Sequence, residues 1–243
     1  MKLLIFTLLP FLLLYSQQER VDSLFLNLDM TGDGNLESIF VQRYFNGEEI
    51  VAFYVYVNGK ELLRRSDSFL GFELDLTRID IDSRDSYEEA LITLSGATIV
   101  EEYWIVNSIT NPQVLAHLTS CAGTKTFGED HIKFNQFGSI YTKCWISFWE
   151  KIDKYSFNSS SNELNLIKQP FFYVGQKAIV TAYVAFDSEI HSEEIVGKLA
   201  KGKEVEILLY NDSWYLIKSD LGLVGWINGA DIHENFEGLN WAN

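Results

Sequence analysis

Three prolines, two cysteines and four histidines in 243 residues are scarcities that each remove a class of explanation. With so few prolines and no Gly/Ser-rich stretch, no flexible linker announces itself. The strongest interruption is Pro170 and Gly175 in "IKQPFFYVGQ", which follows the polar turn "NSSSN". Two cysteines allow at most one bridge. Basic residues number 19 against 34 acidic ones, a net charge of −15. Such a surface repels phosphate backbones and anionic headgroups, which excludes nucleic acid and membrane surfaces as partners and leaves cations and basic or neutral polymers. Zinc-ligand spacings, phosphate-cradling glycine loops and the Gly-x-Ser-x-Gly elbow are also missing.

Long apolar runs are absent but for Leu3 to Leu14, just after Lys2. The run gives out at Tyr15 and Ser16, short of the about 20 residues a membrane anchor needs. Its length and polarity predict a secretory signal over residues 1–16, cut near Ser16 or Gln17. No cysteine follows, so no lipid anchor is indicated. The expected product is a secreted or periplasmic chain with no membrane insertion after signal removal. In that oxidising setting Cys121 and Cys144 are either bridged or two buried thiols.

What is present is alternating and aromatic. "IVAFYVYVNG", "ALITLSGATIV", "EEYWIVNSI", "TKCWISFWEKI" and "VEILLYN" are β-branched and aromatic runs punctuated by Asn, Gly, Ser and Asp. These read as strands joined by turns. Only residues 111–118 and 192–199 could hold a helical turn. Within 17–169 the segment "LFLNLDMTGDGNLESIFV" is echoed by "FELDLTRIDIDSRDSYEEALITL", with Glu37 and Glu89 in matching positions, 89 − 37 = 52 residues apart. A third, more degraded unit begins at "IKFNQFGSIY". A period near fifty implies β-sheet units that need neighbours to bury their second face. Three units are too few to close a ring, since propellers use about four blades or more. The expected fold class is all-β: a partial propeller-like or stacked β-sheet repeat domain at 17–169, followed by a small barrel at 170–243.

The element "LDMTGDGNLESI" resembles the aspartate-rich loop of FG-GAP or VCBS-type repeats, and the resemblance implies calcium held between two strands. The residues allow the same reading. A hard cation wants six to eight oxygens, and a loop bent by glycine can turn alternate residues inward. Asp29, Thr31, Asp33, the Asn35 carbonyl and Glu37 form the candidate set, with Asp80, Asp82, Asp85 and Glu89 as a weaker second copy that lacks the glycine. An EF-hand is excluded, because Phe40 stands where a bidentate Glu is required. The competing reading is a tight turn, in which the aspartates accept backbone N–H groups and Gly32 or Gly34 supplies positive φ.

Ile195 to Ile232, "IVGKLAKGKEVEILLYNDSWYLIKSDLGLVGWINGADI", resembles a bacterial SH3 (SH3b) domain through its Lys-Gly-Lys turn and its Gly225-Trp226-Ile227 ending. The resemblance implies a five- or six-stranded barrel that binds cell wall or an envelope protein. Its usual front element is replaced by "AYVAFDSEIHSEE". Tyr183, Phe186 and Trp214 are the candidates for a ligand groove. Trp226 is a fourth, though core packing suits it better. Trp104, Trp145 and Trp149 are expected in the upstream core, and Trp241 is expected to pack back on the barrel. Two functions are thus open: a non-enzymatic binding or scaffold protein of the envelope, and a cell-wall peptidase or amidase in which His117 or His131 activates Cys121. The paired glutamates, such as Glu88-Glu89 and Glu101-Glu102, read as solvated faces.

Overall fold

A computed structural model of the chain describes residues 19–96, 100–108, 111–121, 131–192 and 194–241. The expected signal segment lies outside these residues. The described chain is almost wholly β, as its alternating pattern implies. It begins with three antiparallel meanders of four strands each. The first is β1 (Glu19–Leu28), β2 (Glu37–Asn46), β3 (Glu49–Val57) and β4 (Lys60–Gly71). The second is β5 (Glu73–Ile79), β6 (Glu89–Ser95), β7 (Val100–Asn107) and β8 (Gln113–Cys121), and the third is β9 (Ile132–Phe134), β10 (Ser139–Ile146), β11 (Trp149–Asn158) and β12 (Glu163–Ile167). Glu37, Glu89 and Ser139 each open the second strand of their unit. The expected repeat is therefore present as three stacked units.

Alternation along the strands explains the stacking. Ile39, Val41, Phe53 and Val55 of the first unit share one core with Ala90, Ile92, Leu94, Trp104 and Val106 of the second. The intervening residues Leu91, Tyr103 and Ile105 point the other way, into a core with Ile132, Ile140 and Phe157 of the third unit. The second unit is covered on both faces, and β6 accordingly reads as a near-continuous apolar run. The second and third units are also joined edge to edge by one parallel backbone pairing, Cys144 opposite Cys121.

The C-terminal sheet comprises β13 (Phe172–Val180), β14 (Val184–Asp187), β15 (Ile195–Leu199), β16 (Glu204–Asn211), β17 (Trp214–Ser219), β18 (Val224–Asn228) and β19 (Phe236–Glu237), with one short helix α1 (Gly229–Asn235) before β19. Its strand order is β15-β14-β18-β17-β16-β13-β19, and the two end strands do not pair. The expected barrel is thus an open seven-stranded sheet. The two segments read as possible helical turns are β8 and β15. Their β-branched and aromatic neighbours across the ladder override a weak local preference.

The core of this sheet is not contained within 170–243. Phe148 and Trp149, at the turn between β10 and β11, are each 1% exposed and lie in the same cluster as Val180, Phe186, Ile207, Tyr215 and Ile217. Trp149 therefore leaves the upstream core in which it was expected, because the turn carries it across the junction. Trp104 fills the upstream core and Trp241 packs on Phe148 at 5.0 Å, both as expected. Trp145 is only half-buried.

Trp149→Ala is expected to destabilise the protein by about 3–5 kcal/mol, read as a lowered urea midpoint. Residues 170–243 alone are expected to unfold at a lower midpoint than the same sheet extended back to residue 139. Equal midpoints would show that the plug is dispensable.

The backbone register also bears on the cysteines, none of which is free among the described residues. A bridge between positions 144 − 121 = 23 residues apart would contribute about 3 kcal/mol through chain entropy. Thiol titration of the unfolded, unreduced protein is expected to find none, and reduction to lower the melting temperature. Two titrating thiols would show the pair to be unbridged.

Candidate functional site

The loops between the first and second strands of each unit lie in a row along one edge of the stack. Asp29 and Glu88 join the first loop to the second, with the Glu88 N–H donating to the Asp29 carbonyl at 2.9 Å and the Asp29 N–H to the Glu88 carboxylate at 3.1 Å. The second loop meets the third through the Gly138 N–H on the Ile81 carbonyl at 2.8 Å and the Ser83 N–H on the Gln136 carbonyl at 3.0 Å. Gly32 is required at its place for two reasons. Its φ is +71°, and a Cβ there would stand 2.3 Å from the Ser86 hydroxyl of the next loop.

In the first loop the turn chemistry has taken the oxygens. Asp29 accepts backbone N–H groups from Gly32 at 2.7 Å, Asp33 at 3.1 Å and Gly34 at 2.8 Å. Asp33 accepts from Asn35 at 2.8 Å, and that bond holds its pKa below the usual carboxylate value. Glu37 accepts the Met30 N–H at 2.8 Å and the Thr31 hydroxyl at 3.4 Å. The set predicted as calcium ligands is brought together here as a self-satisfied turn.

The second loop is different. Glu89 accepts the Ile81 N–H at 3.1 Å, the same closure that Glu37 makes on Met30. However, Glu89 is 1% exposed, and burial, with Asp85, Asp80 and Asp82 nearby, pushes its pKa up to about 8. Burial also raises the pKa of Asp80 and of Asp85. One oxygen of each, Asp80 Oδ1 and Asp85 Oδ2, is buried without a hydrogen-bond partner. Asp82 is held low by the Arg84 guanidinium, which reaches it at 2.5 and 2.6 Å. Among the described residues no group of three or more His, Cys, Asp or Glu side chains is arranged to hold a metal. The second loop thus keeps two buried carboxylate oxygens that no hydrogen bond satisfies. The expectation that Glu88 and Glu89 line a solvated face fails for Glu89, whose strand is sandwiched between two units.

Of the aromatic residues predicted to line a groove on the C-terminal sheet, Phe186 does not. It is 1% exposed and seated against Gly197 and Gly225, where a Cβ would come within 2.6 Å of its ring. Tyr183 is 67% exposed, with the Lys198 ammonium 5.9 Å from its ring. Trp214 and Trp226 share the outer face, since the alternate residues Tyr215, Ile217 and Ile227 are in the core. Trp214 and Trp226 are half-buried, Trp214 meeting His191 at 5.1 Å and Trp226 meeting Phe171 at 6.1 Å, so the three remaining candidates keep separate partners.

A cleft that the sequence reading did not single out lies where the third unit meets the C-terminal sheet. It holds about 570 Å³. Tyr141, Trp145, Ile152 and Lys154 line it from the third unit, and Phe172, Tyr173 and Gln176 from the sheet. Tyr173 is 71% exposed. Lys154 lies 5.9 Å from the Tyr141 ring and Gln169 donates to the Ile152 carbonyl at 2.8 Å, so the polar groups at the rim are already oriented. The signal for this site was the aromatic run Phe171-Phe172-Tyr173 just after Pro170, which reads as strand core until the junction is seen.

His117, one of the two bases considered for Cys121, is engaged elsewhere. His117 stacks on Trp104 at 4.7 Å and is held by Glu102 at 2.7 Å. It lies on the same strand as Cys121, and four residues of extended chain separate their Cα atoms by roughly 13 Å. His131 meets β10 through its carbonyl, which accepts the Lys143 N–H at 2.9 Å. No helix among the described residues is long and apolar enough to cross a membrane. Compared with family models, curated proteins and solved structures, the chain matches none of them.

The raised pKa of Glu89 has a defined sign. Its folded value, about 8, lies above the 4.5 of an unperturbed Glu, so its contribution is fully present below pH 4.5 and lost as pH rises through 8. Metal-free protein is expected to lose stability across that window, by at most about 5 kcal/mol. Glu89→Gln is expected to flatten the profile, measured as urea midpoints at pH 5, 6.5 and 8. An unchanged slope would remove Glu89 as its source.

Proposed function

We propose that the chain is an exported, non-enzymatic binding protein of the bacterial envelope, and that its ligand is a neutral stretch of cell-wall polymer seated in the junction cleft. The observation that carries this reading is the cleft itself: Trp145 from one module and Tyr173 from the other line a single concavity. Ligand sites favour such module junctions, with apolar walls and a few oriented polar groups. Flat aromatic rings suit the apolar faces of sugar rings, while Gln176, Glu150 and Lys154 offer donors and acceptors of both signs. The acidic surface favours a neutral or basic ligand over an anionic one. The SH3b-like C-terminal pattern agrees with a wall-binding role, and the FG-GAP-like loops with a stacked repeat scaffold.

Calcium belongs to the same proposal, now at the second loop. The unpartnered oxygens of Asp80 and Asp85 would be its carboxylate ligands, with backbone carbonyls and water completing the set, and its charge would favour the ionised form of both and of Glu89 beside them. A cation bound only by the folded state stabilises by RT ln(1 + [L]/Kd), about 2.7 kcal/mol at 100 times Kd. Calcium is therefore expected to raise the melting temperature more at pH 8 than at pH 5.

Binding is tested by sedimentation with purified cell wall and by calorimetry with soluble wall fragments. Trp145→Ala and Tyr173→Ala are each expected to weaken binding at least tenfold, and Tyr183→Ala to leave it unchanged. Retention of full affinity by the Trp145 and Tyr173 variants would move the site out of the cleft. Binding of an envelope peptide in place of wall fragments would replace the ligand class but keep the site.

A further inference from the structure

The stack of sheets is covered at one end and open at the other. At the C-terminal end the third unit is met by the C-terminal sheet, whose core it completes with Phe148 and Trp149. At the N-terminal end no second sheet covers the outer face of the first among the described residues, and its rings are half-buried only by one another and by side chains such as Arg64. That face is formed by the positions that alternate with the core residues Ile39, Val41, Phe53 and Val55, and it carries Val21, Phe25, Phe40, Tyr44, Tyr54 and Tyr56. Val21 is 51% exposed and Phe25 63%. Phe40 contacts Tyr56 at 5.9 Å and Tyr44 contacts Tyr54 at 4.9 Å, so the rings form a continuous surface.

The repeat says what such a face is for. Superposing Glu37 on Glu89 matches Phe40 with Ile92, three residues on in each strand. The cross-strand partners then match as well, Tyr56 opposite Phe40 and Trp104 opposite Ile92. In the second unit these two positions are 0% and 3% exposed beneath the first sheet. The first unit thus presents, uncovered, the face that its sister unit buries under another sheet.

We propose that this face is the interface of a homodimer, with two copies packed back to back through their first sheets about a two-fold axis. The area suits such a contact. Four strands of about nine residues present roughly 30 by 19 Å, or about 600 Å² in projection. A standard interface takes about 800 Å² of accessible surface from each partner. The rim is self-complementary, because Arg64 lies 4.6 Å above the Tyr54 ring and bonds Glu61 at 2.9 Å, so each copy offers both signs of charge to its mate. A second copy is favoured over an unrelated partner because a two-fold contact covers both open ends at once, leaving none to propagate.

The test is light scattering and sedimentation equilibrium of the purified protein from about 1 to 100 µM, the range in which moderate dimers dissociate. A particle of twice the chain mass is expected. Phe25→Lys and Tyr54→Lys, each placing like charges across the axis, are expected to raise the dimer Kd by at least about 30-fold, the effect of losing a hot-spot contact. Leu221→Lys, 84% exposed in the turn between β17 and β18, is expected to leave it unchanged. Phe25→Lys replaces an exposed residue, and an unaltered far-ultraviolet circular dichroism spectrum separates lost association from lost folding. A wild-type monomer at 100 µM, dimers of unchanged Kd in both face variants, or equal weakening by Leu221→Lys would each overturn the proposal.

Discussion

Burial of the second unit on both faces is the constraint from which the rest of the architecture follows. A lone four-stranded meander has one face too many to hide. Ile92 and Trp104 can leave water only if a sheet lies over one face, and Leu91, Tyr103 and Ile105 only if another lies over the opposite one. At about 25 cal/mol per Å² of apolar surface, these two contacts outweigh any single turn or ion pair in the chain. The loops at the edge then have little freedom. They are brought side by side by the packing, and their backbone groups bond from unit to unit, outside any strand ladder.

This ordering accounts for the divergence of two loops that descend from one pattern. The first lies at the outer end of the stack, and Asp29, Asp33 and Glu37 spend their oxygens on their own turn. The second lies in the middle, and one extra residue with no glycine leaves Asp80 and Asp85 with buried oxygens that the backbone does not reach. The same burial that makes Glu89 a good wedge makes its charge costly, so the repeat keeps the carboxyl at the price of its ionisation.

The strands, the repeat and its period were legible in the sequence because they rest on local alternation and on the spacing of Glu37 and Glu89. Three features were not, each for a non-local reason. Trp149 reads as a residue of its own strand, and only the direction of the β10–β11 turn places it in the other module. Phe186 reads as a groove residue because it lies in the atypical front segment, but Gly197 and Gly225, farther along the chain, open the slot that buries it. Glu89 reads as one of many acidic pairs, whereas its environment is set by units on either side. The junction cleft was hidden although its walls, β10 to β13, are consecutive in the chain, because alternation does not say that β13 leaves the third unit to open another sheet.

The placement of Phe148 and Trp149 also sets an order of events during synthesis. These two residues leave the ribosome before any strand of the sheet whose core they complete. A chain still being made, or one cut near Pro170, carries on its third unit a pair of large rings with no cover. Such a fragment would present an adhesive surface to chaperones and to other nascent chains until the C-terminal seventy or so residues arrive. A chain in which that sheet has formed is thus distinguishable from one cut before it by the accessibility of one turn.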